Sequence, residues 1–262
     1  MGTLPFSGQL LGAPADAPRT YGLSGPLVIM PTFREAANVG QALERVRRSV
    51  QTSTVLVVDD DGGDGTADLA EQAGRELGQV EVLRRAAKAG LANAYSSGFA
   101  WGLERGYKVL VGMDADLSHD ATALPRLLAA LNGGADVAVG SRYIPGGSTV
   151  NWPVGRRVLS QWGNWYARRC LQSGITDLTS AFRAYRADAL ERVDFSALRS
   201  EGYGFLIELA HVLERMGAVF TEVPVHFVNR SEGRSKLSTR IAIESFRVVT
   251  NLAWRERRGR QP

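Results

Sequence analysis

Cysteine is almost absent from this chain of 262 residues, because Cys170 is the single one. One thiol excludes an intramolecular disulfide and any zinc site built on cysteine ligands. We expect Cys170 to behave as a small buried hydrophobic residue. The chemistry of the protein therefore has to come from carboxylates, basic side chains and backbone groups.

Long apolar runs are absent as well. No stretch approaches the roughly 18 uninterrupted apolar residues that a membrane-spanning helix needs, so we predict no transmembrane helix. Residues 1–25 are rich in Gly, Pro and Ala and have no basic start followed by an apolar core. This composition predicts a flexible N-terminal arm rather than a secretory signal. With 44% hydrophobic and 22% charged residues, the rest is typical of a globular domain.

The small net charge of +4 hides an uneven distribution. Residues 1–150 carry 13 basic and 16 acidic side chains, whereas residues 151–262 carry 18 and 11. An acidic first half followed by a basic second half suits a metal site that faces an anion-binding surface. A solvated basic face would give the same count, so charge alone leaves both interpretations open.

Apolar runs and helical patterns alternate along the first half of the chain. Near-continuous apolar strands separated by amphipathic helices predict an α/β fold with a mainly parallel sheet covered on both faces. We predict strands at 27–30, 54–58, 80–83, 109–113, 137–139, 182–185 and 219–227. We predict helices at 36–50, 66–77, 91–105, 124–131, 154–172, 205–216 and 238–254, with a Gly/Pro-rich loop at 144–153.

Polar residues cluster where the first four predicted strands end. Ligands of parallel α/β sheets bind at the carboxyl ends of the strands, so these clusters are expected to form one site. The clusters are Thr32–Glu35, Asp59–Asp64, Lys88 and Asp114–His119.

Asp114-Ala115-Asp116 follows the fourth predicted strand. Residues two apart on a strand point to the same face, so both carboxylates are expected to reach one ligand. Two like charges held that close repel each other unless a cation lies between them. Oxygen ligands of this kind suit Mg²⁺ or Mn²⁺ bound together with substrate phosphates.

The second strand ends in the acidic, glycine-rich turn Asp59-Asp60-Asp61-Gly62-Gly63-Asp64-Gly65-Thr66. Glycines allow the backbone to approach a ligand, and Thr66 can cap the next helix. Carboxylates repel phosphate, and the lysine of a P-loop is missing, so this turn is not a P-loop. Carboxylates suit the N–H groups of a base and the hydroxyls of a ribose. Lys88 is placed where a cation could meet a phosphate.

These segments and several later ones occur in an order that resembles family 2 glycosyltransferases of the GT-A fold, in particular the dolichol-phosphate or polyprenol-phosphate mannose synthases. The resemblance covers about residues 26–240. Its later segments are Gly140-Ser141-Arg142-Tyr143, Arg156…Ser160…Asn164, Asp177-Leu178-Thr179-Ser180-Ala181-Phe182-Arg183, Gly202-Tyr203-Gly204-Phe205…Glu208 and Phe227-Val228-Asn229-Arg230…Gly233-Arg234-Ser235-Lys236.

The resemblance implies a role for individual positions. The nucleotide-sugar would be held by Pro31, Thr32, Phe33, Glu35, Asp59, Asp60, Lys88, Asp114, Ala115 and Asp116. Mg²⁺ or Mn²⁺ would be bound by Asp114 and Asp116, and the acceptor phosphate by Arg142, Arg156, Ser160, Arg230 and Lys236. Asp116, Arg142 and Arg230 would be the catalytic residues.

The activity that the resemblance implies is inverting transfer of mannose from GDP-mannose to a polyprenyl phosphate. A UDP-sugar-dependent enzyme with the same acceptor remains an alternative. The usual Asp-Asp-Asn-Ser-Pro-Asp-Gly-Thr turn is altered at Asp61-Gly62-Gly63, so a catalytically silent nucleotide-sugar-binding protein is a second one. Trp152, Trp162, Trp165 and Tyr166 would either form the floor of a prenyl groove or pack in the core.

We also expect a GT-A domain at 26–237 and a C-terminal amphipathic helix with a basic tail at 238–262. Such a helix would bind the membrane surface peripherally, at its cytoplasmic face. Some relatives carry C-terminal transmembrane helices or use a separate membrane protein, so an integral-membrane partner is a further expectation. No nucleic-acid partner is expected.

Overall fold

A seven-stranded sheet forms the centre of the protein in the computed structural model, which describes residues 25–86, 90–229 and 239–257. Its strands are β1 (Leu27–Thr32), β2 (Thr54–Asp59), β3 (Val80–Arg84), β4 (Val109–Gly112), β5 (Val137–Ser141), β7 (Arg183–Arg186) and β8 (Phe220–Pro224). They are arranged in the order β3-β2-β1-β4-β7-β5-β8. A second sheet pairs β6 (Ser148–Val150) with β9 (His226–Val228).

The main sheet is parallel except at β7, which runs antiparallel between β4 and β5. Strands β2 and β5 are buried along their whole length, and β1 is buried at every position but Pro31. Strands covered on both faces need apolar residues at every position, which explains why they appear in the sequence as continuous apolar runs.

Helices cover both faces of the sheet. They are α1 (Val39–Ser49), α2 (Thr66–Leu77), α3 (Leu91–Glu104), α4 (Leu124–Asn132), α5 (Val154–Leu171), α6 (Ala187–Glu191), α7 (Gly202–Arg215) and α8 (Thr239–Arg257). Buried residues of α1, α2 and α4 form one core with the sheet, and those of α3, α5, α7 and α8 form the other. Within the described ranges, none of these helices is long and apolar enough to cross a bilayer.

Helix α3 lies unusually close to β1 because it presents glycines to it. A Cβ atom on Gly98 would lie 2.4 Å from Cγ2 of Ile29, and one on Gly102 would lie 2.6 Å from Cδ2 of Leu27. Side chains at these positions would push the helix away from the sheet. The close approach brings the N-terminus of α3 to the carboxyl edge of the sheet.

The predicted elements are present, with three differences after residue 140. The predicted 144–153 loop contains β6, and α6 was not predicted. The predicted 219–227 strand changes partner at Val225, whose N–H donates to Ser141 while its carbonyl accepts from Ser148. Val225 therefore connects the main sheet to the second sheet.

The predicted mainly parallel α/β architecture is confirmed. Residues 1–24 of the predicted arm and residues 258–262 of the predicted tail lie outside the described part of the chain. The boundaries 1–25, 26–237 and 238–262 remain predictions.

Candidate functional site

A cavity of about 320 Å³ opens at the carboxyl ends of β1, β2 and β4, and we call it the edge cavity. Eight of the predicted nucleotide-sugar residues line it, namely Pro31, Thr32, Phe33, Glu35, Asp60, Asp114, Ala115 and Asp116. Gly90, Leu91 and Ala94 from the start of α3, and Gly202 and Tyr203 from α7, complete the lining. The predicted clusters after β1, β2 and β4 are therefore brought together at one edge.

Residues 114–119 form a tight loop directly after β4. The backbone N–H of Asp114 donates to Nδ1 of His119 at 3.1 Å, so this nitrogen is the unprotonated one. The backbone N–H and the hydroxyl of Ser118 both donate to Oδ1 of Asp116. His119 is fixed by aromatic rings, stacked on Phe182 at 5.0 Å and edge-on to Phe227 at 5.2 Å. The two carboxylates are thus presented by a loop with little freedom.

The donor set at Asp114 and Asp116 fits a hard divalent cation that shares its ligands with a substrate. Asp116 is 3% exposed, and the side chain of Asp114 is 20% exposed. Among the described residues, no group of three or more His, Cys, Asp or Glu side chains could hold a metal ion. Mg²⁺ is commonly held by one or two carboxylates together with substrate phosphates, which is the arrangement that two carboxylates in an open cavity allow.

Asp59 and Asp60 have different environments although they are adjacent. Oδ1 of Asp59 accepts a 2.6 Å hydrogen bond from the Thr32 hydroxyl, and Asp59 is not among the described residues that line the edge cavity. Burial raises the pKa of Asp59 above its ordinary value, against the lowering effect of the Thr32 hydrogen bond. Asp60 faces the cavity and contacts Nη1 of Arg85 at 3.1 Å. Arg85 was not predicted as a site residue, although its place just after β3 was a signal for it.

The altered turn at Asp61-Gly62-Gly63 is packed against the loop that follows β1. A Cβ atom on Gly62 would lie 2.8 Å from the backbone nitrogen of Arg34, so glycine is needed there. Nε of Arg34 donates to the carbonyl of Gly62. Oδ2 of Asp64 accepts from the backbone N–H of Ala36 at 3.1 Å. The altered turn therefore forms an ordered wall beside the edge cavity.

A second cavity, which we call the apolar cavity, lies between the β4 edge and helices α5, α7 and α8. It has a volume of about 130 Å³ and shares Asp114 and Tyr203 with the edge cavity. The predicted acceptor residues Arg142, Arg156 and Ser160 line it. Its apolar lining includes Trp152, Leu159, Trp162, Tyr166, Ile207, Phe227, Phe246 and Val249.

Arg142 is held in this cavity by a buried ion pair with Asp177. Nε and Nη2 donate to the two carboxylate oxygens at 2.7 and 2.6 Å, and Nη2 also donates to the hydroxyl of Thr179 at 2.7 Å. Burial lowers the pKa of Arg142, but the charge and hydrogen bonds of Asp177 outweigh it and raise the pKa above its ordinary value. Asp177 and Thr179 thus use Nε and Nη2 of the guanidinium and do not use Nη1.

Arg156 lies flat against an aromatic ring. Its guanidinium carbon is 3.9 Å from the centre of the Trp152 ring, and its Nη1 donates to Oδ1 of Asn229 at 2.9 Å. The guanidinium carbon of Arg142 lies 5.5 Å from the centre of the same ring. The hydroxyl of Ser160 contacts that of Tyr143 at 2.6 Å. Two guanidinium groups and a hydroxyl thus lie along one apolar wall.

Three predicted site residues lie outside the described part of the chain, namely Lys88, Arg230 and Lys236. Besides Arg85, two further residues of the site were not predicted: Tyr203, which lies where the two cavities meet, and Asp177. Both belong to segments that carried the resemblance, so their positions were visible in the sequence but their contacts were not.

Several known proteins are similar to this chain in sequence or in fold. Residues 27–194 match the model of the family described as Glycosyl transferase family 2. Undecaprenyl-phosphate mannosyltransferase of Micrococcus luteus is 47% identical over 86% of this chain and 92% of that protein. Polyprenol monophosphomannose synthase of Mycolicibacterium smegmatis is 46% identical over 87% of this chain and 86% of its own length. Dolichol-phosphate mannosyltransferase of Pyrococcus furiosus is 33% identical, over 86% of this chain but 62% of that protein.

Among solved structures, glucosyl-3-phosphoglycerate synthase from Mycobacterium tuberculosis, in complex with Mn²⁺, UDP and glucosyl-3-phosphoglycerate, has a TM-score of 0.64. The match covers 91% of this chain and 81% of that one at 16% identity, so the likeness concerns the fold. The family model and the two bacterial relatives, which match over most of their length, are sufficient for a family assignment. This chain belongs to glycosyl transferase family 2.

Proposed function

We propose that this protein transfers mannose from GDP-mannose to a polyprenyl phosphate and releases GDP. The observation that carries the proposal is the meeting of the edge cavity and the apolar cavity at Asp114 and Tyr203. One cavity has the carboxylates that suit a metal-bound nucleotide diphosphate. The other has guanidinium groups in an apolar wall, as a phosphate attached to a hydrocarbon chain would require. The names of the two bacterial relatives support the same acceptor and the same sugar.

On the donor side, Asp114 and Asp116 would hold Mg²⁺ or Mn²⁺ together with the diphosphate. The metal ion, when bound, would neutralise the charge that develops on the leaving GDP. Asp60 and Glu35 would accept hydrogen bonds from the base or the ribose. The hydrogen-bonded 114–119 loop would hold the sugar-bearing phosphate next to the apolar cavity.

On the acceptor side, the phosphate needs little activation. A phosphate monoester has a second pKa near 6, so most of it is a dianion at neutral pH and is already a nucleophile. One of its oxygens attacks the anomeric carbon of mannose as the bond to GDP breaks, which inverts the configuration. Arg156, Ser160 and the Nη1 group of Arg142 would hold this phosphate by charge-assisted hydrogen bonds, of which a well-aimed donor contributes about 3–4 kcal/mol.

The hydrocarbon part of the acceptor would lie against a stack of aromatic rings. The centre of the Tyr166 ring lies 5.7 Å from that of Trp162 and 4.4 Å from that of Phe246, with interplanar angles of 15° and 18°. Flat rings arranged this way offer an apolar face to a chain of isoprene units. Since Trp162 and Phe246 are 48% and 41% exposed, this stack continues from the cavity to the surface.

The test is a direct assay for glycolipid. The purified chain is incubated with GDP-mannose or UDP-glucose, a short polyprenyl phosphate and Mn²⁺ or Mg²⁺, and products are identified by mass spectrometry. We expect mannosylated lipid from GDP-mannose, and none from an Asp116→Asn variant or with excess chelator. Product from UDP-glucose alone would replace the proposed donor. No product from either donor would favour a silent nucleotide-sugar-binding protein.

We further propose that the protein binds the cytoplasmic face of the membrane peripherally, through α5 together with the predicted C-terminal helix and basic tail. Val154, Val158, Trp162 and Trp165 form a stripe along this helix and are 66%, 57%, 48% and 60% exposed. Exposed arginines flank it, namely Arg157, Arg168 and Arg169. An apolar stripe with basic neighbours is typical of helices that lie in the interface of anionic bilayers. The stripe adjoins the apolar cavity, so the acceptor could enter it directly from the bilayer.

Flotation with vesicles of neutral and anionic phospholipids tests this membrane proposal. A Trp165→Ser and Val158→Ser double variant is expected to lose most vesicle binding. The matched control is Val219→Ser, which removes an apolar side chain that is 55% exposed but lies outside the stripe. Equal binding by all three proteins would refute the assignment to α5. Failure of the unmodified chain to bind lipid-only vesicles would instead favour attachment through an integral-membrane partner.

A further inference from the structure

The loop between α5 and β7 is held by side chains at every backbone N–H from residue 174 to residue 178, and we call it the anchored loop. Backbone N–H groups in loops need partners when they are buried, and here side chains supply all five. The donor and acceptor pairs are Gly174 with Glu214 (3.1 Å), Ile175 with Ser173 (3.1 Å), Thr176 with Glu222 (2.8 Å), Asp177 with Glu222 (3.0 Å) and Leu178 with Asn164 (2.8 Å).

Glu222 is the residue that binds this loop twice. Its Oε2 accepts from the N–H of Thr176 and its Oε1 from the N–H of Asp177, so both carboxylate oxygens are used. Glu222 lies on β8, where it pairs with Val139 of β5. Arg142 directly follows β5, and β5 pairs with β8. Glu222 and Arg142 are therefore positioned by the same pair of strands.

The anchored loop in turn fixes the guanidinium of Arg142. Oδ2 of Asp177 accepts from both the backbone N–H and Nε of Arg142, at 3.0 and 2.7 Å. Oδ1 accepts from Nη2 at 2.6 Å. One carboxylate thus accepts three hydrogen bonds from Arg142 and holds it in one orientation, in which Asp177 does not use Nη1.

We propose that Glu222 is a positioning residue for the acceptor phosphate, acting through Asp177 on Arg142. The inference rests on the proposed function, in which Arg142 contacts that phosphate. Glu222 itself lines a different cavity, together with His211 and Glu214, on the other side of the anchored loop. Its effect on catalysis would therefore be indirect, and neither its position in the sequence nor the lining of the active site indicates it.

Glu222→Gln is the variant that tests the proposal. The amide keeps the size of the side chain, but it has one acceptor oxygen, and its NH₂ group would face a backbone N–H donor. A displaced Asp177 would misdirect Arg142, so we expect the KM for the polyprenyl phosphate to rise roughly five- to tenfold, as for the loss of about one ordinary hydrogen bond. The KM for GDP-mannose is expected to stay within about twofold, because Glu222 does not contact the edge cavity.

Glu214→Gln is the matched control. It makes the same chemical change in the same cavity and at the same loop, but Glu214 binds Gly174, three residues before Asp177. Both KM values are expected to stay within about twofold of the unmodified protein. If Glu222 only stabilises the fold, Glu222→Gln would lower Tm and kcat but leave the KM for the polyprenyl phosphate within about twofold, and this result would overturn the proposal. Should Glu222→Gln fail to fold, Glu222→Asp takes its place with the same readouts.

A double-mutant cycle with Arg142→Lys distinguishes failure of this inference from failure of the proposed function. If Glu222 acts through Arg142, the Glu222 substitution should change the acceptor KM less than about twofold when residue 142 is already lysine. Effects that multiply would overturn the positioning role and leave the function standing. An acceptor KM unaffected by Arg142→Lys alone would overturn the role of Arg142 itself.

Discussion

The buried ion pair between Arg142 and Asp177 leads to a prediction about stability. Replacing one partner is expected to lower the free energy of unfolding more than replacing both. The two side chains are 7% and 0% exposed. Asp177→Asn leaves the guanidinium of Arg142 without the negative charge it pairs with. Arg142→Met leaves the carboxylate of Asp177 without the positive charge of Arg142. Removing one partner of a buried pair costs about 3–5 kcal/mol. In a chain of this size about 1 kcal/mol shifts Tm by roughly 2–4 °C, so each single variant is expected to melt about 6–20 °C lower.

The Arg142→Met and Asp177→Asn double variant removes both charges at once. The amide oxygen at residue 177 can still accept from the backbone N–H of residue 142, which Asp177 now binds at 3.0 Å. Neutral replacement of a whole buried pair is often without cost, so the double variant is expected within about 2 kcal/mol of the unmodified protein. Urea unfolding followed by tryptophan fluorescence measures all four proteins. A double variant as unstable as either single variant, or an Asp177→Asn loss below about 1 kcal/mol, would refute the reasoning.

The pair also has an expected pH dependence. Burial raises the pKa of Asp177, but the charge and hydrogen bonds of Arg142 outweigh it, so the pKa lies below its ordinary value of 3.8. A lowered carboxyl pKa contributes stability above the unfolded-state pKa, and this contribution is lost as the pH falls through the folded-state value. The stability of the unmodified protein relative to Arg142→Met/Asp177→Asn should therefore be constant from pH 5 to 7 and decrease below about pH 4.

Two further predictions concern residues that surround the edge cavity. Asp59→Asn is expected to raise Tm at pH 7, because burial raises the pKa of Asp59 and the amide avoids the buried charge while still accepting from Thr32. The gain should disappear below about pH 4, where the carboxyl is protonated in both states, and a gain that persists there would contradict the assignment. Gly112→Ala is expected to cost about 1–3 kcal/mol in urea unfolding, since its Cβ would lie 2.9 Å from the carbonyl oxygen of Ala181. In the control Gly40→Ala the Cβ meets nothing within 4 Å, so that variant should gain up to about 1 kcal/mol.

The edge cavity could be predicted from the sequence because its residues lie close in the chain to the strands that position them. Continuous apolar runs identify buried parallel strands, and the carboxyl ends of such strands meet at one edge. Glu35, Asp60 and Asp116 each lie a few residues after such a run, so their convergence needed no knowledge of distant contacts. The metal-binding role of Asp114 and Asp116 remains a proposal, as do the roles of Lys88, Arg230 and Lys236.

The sequence could not predict contacts that depend on how elements pack. Asp59 and Asp60 are indistinguishable as neighbouring carboxylates, and their different surroundings come from Thr32 on β1 and from Arg85 after β3. Arg142 and Asp177 are 35 residues apart and meet because β7 inserts antiparallel beside β5. No periodicity or motif spacing indicates such a pairing. The apolar cavity likewise depends on the packing of α8 against α5 and α7.

Calorimetric titration of each ligand separately tests the assignment of the two cavities most directly. GDP with Mn²⁺ and a short polyprenyl phosphate are titrated into the unmodified chain, Asp116→Asn and Arg156→Met. We predict that Asp116→Asn loses roughly tenfold or more in GDP affinity and retains the lipid phosphate, and that Arg156→Met does the reverse. Loss of GDP binding in Arg156→Met, or of lipid phosphate binding in Asp116→Asn, would contradict a donor site at the sheet edge and an acceptor site in the apolar cavity.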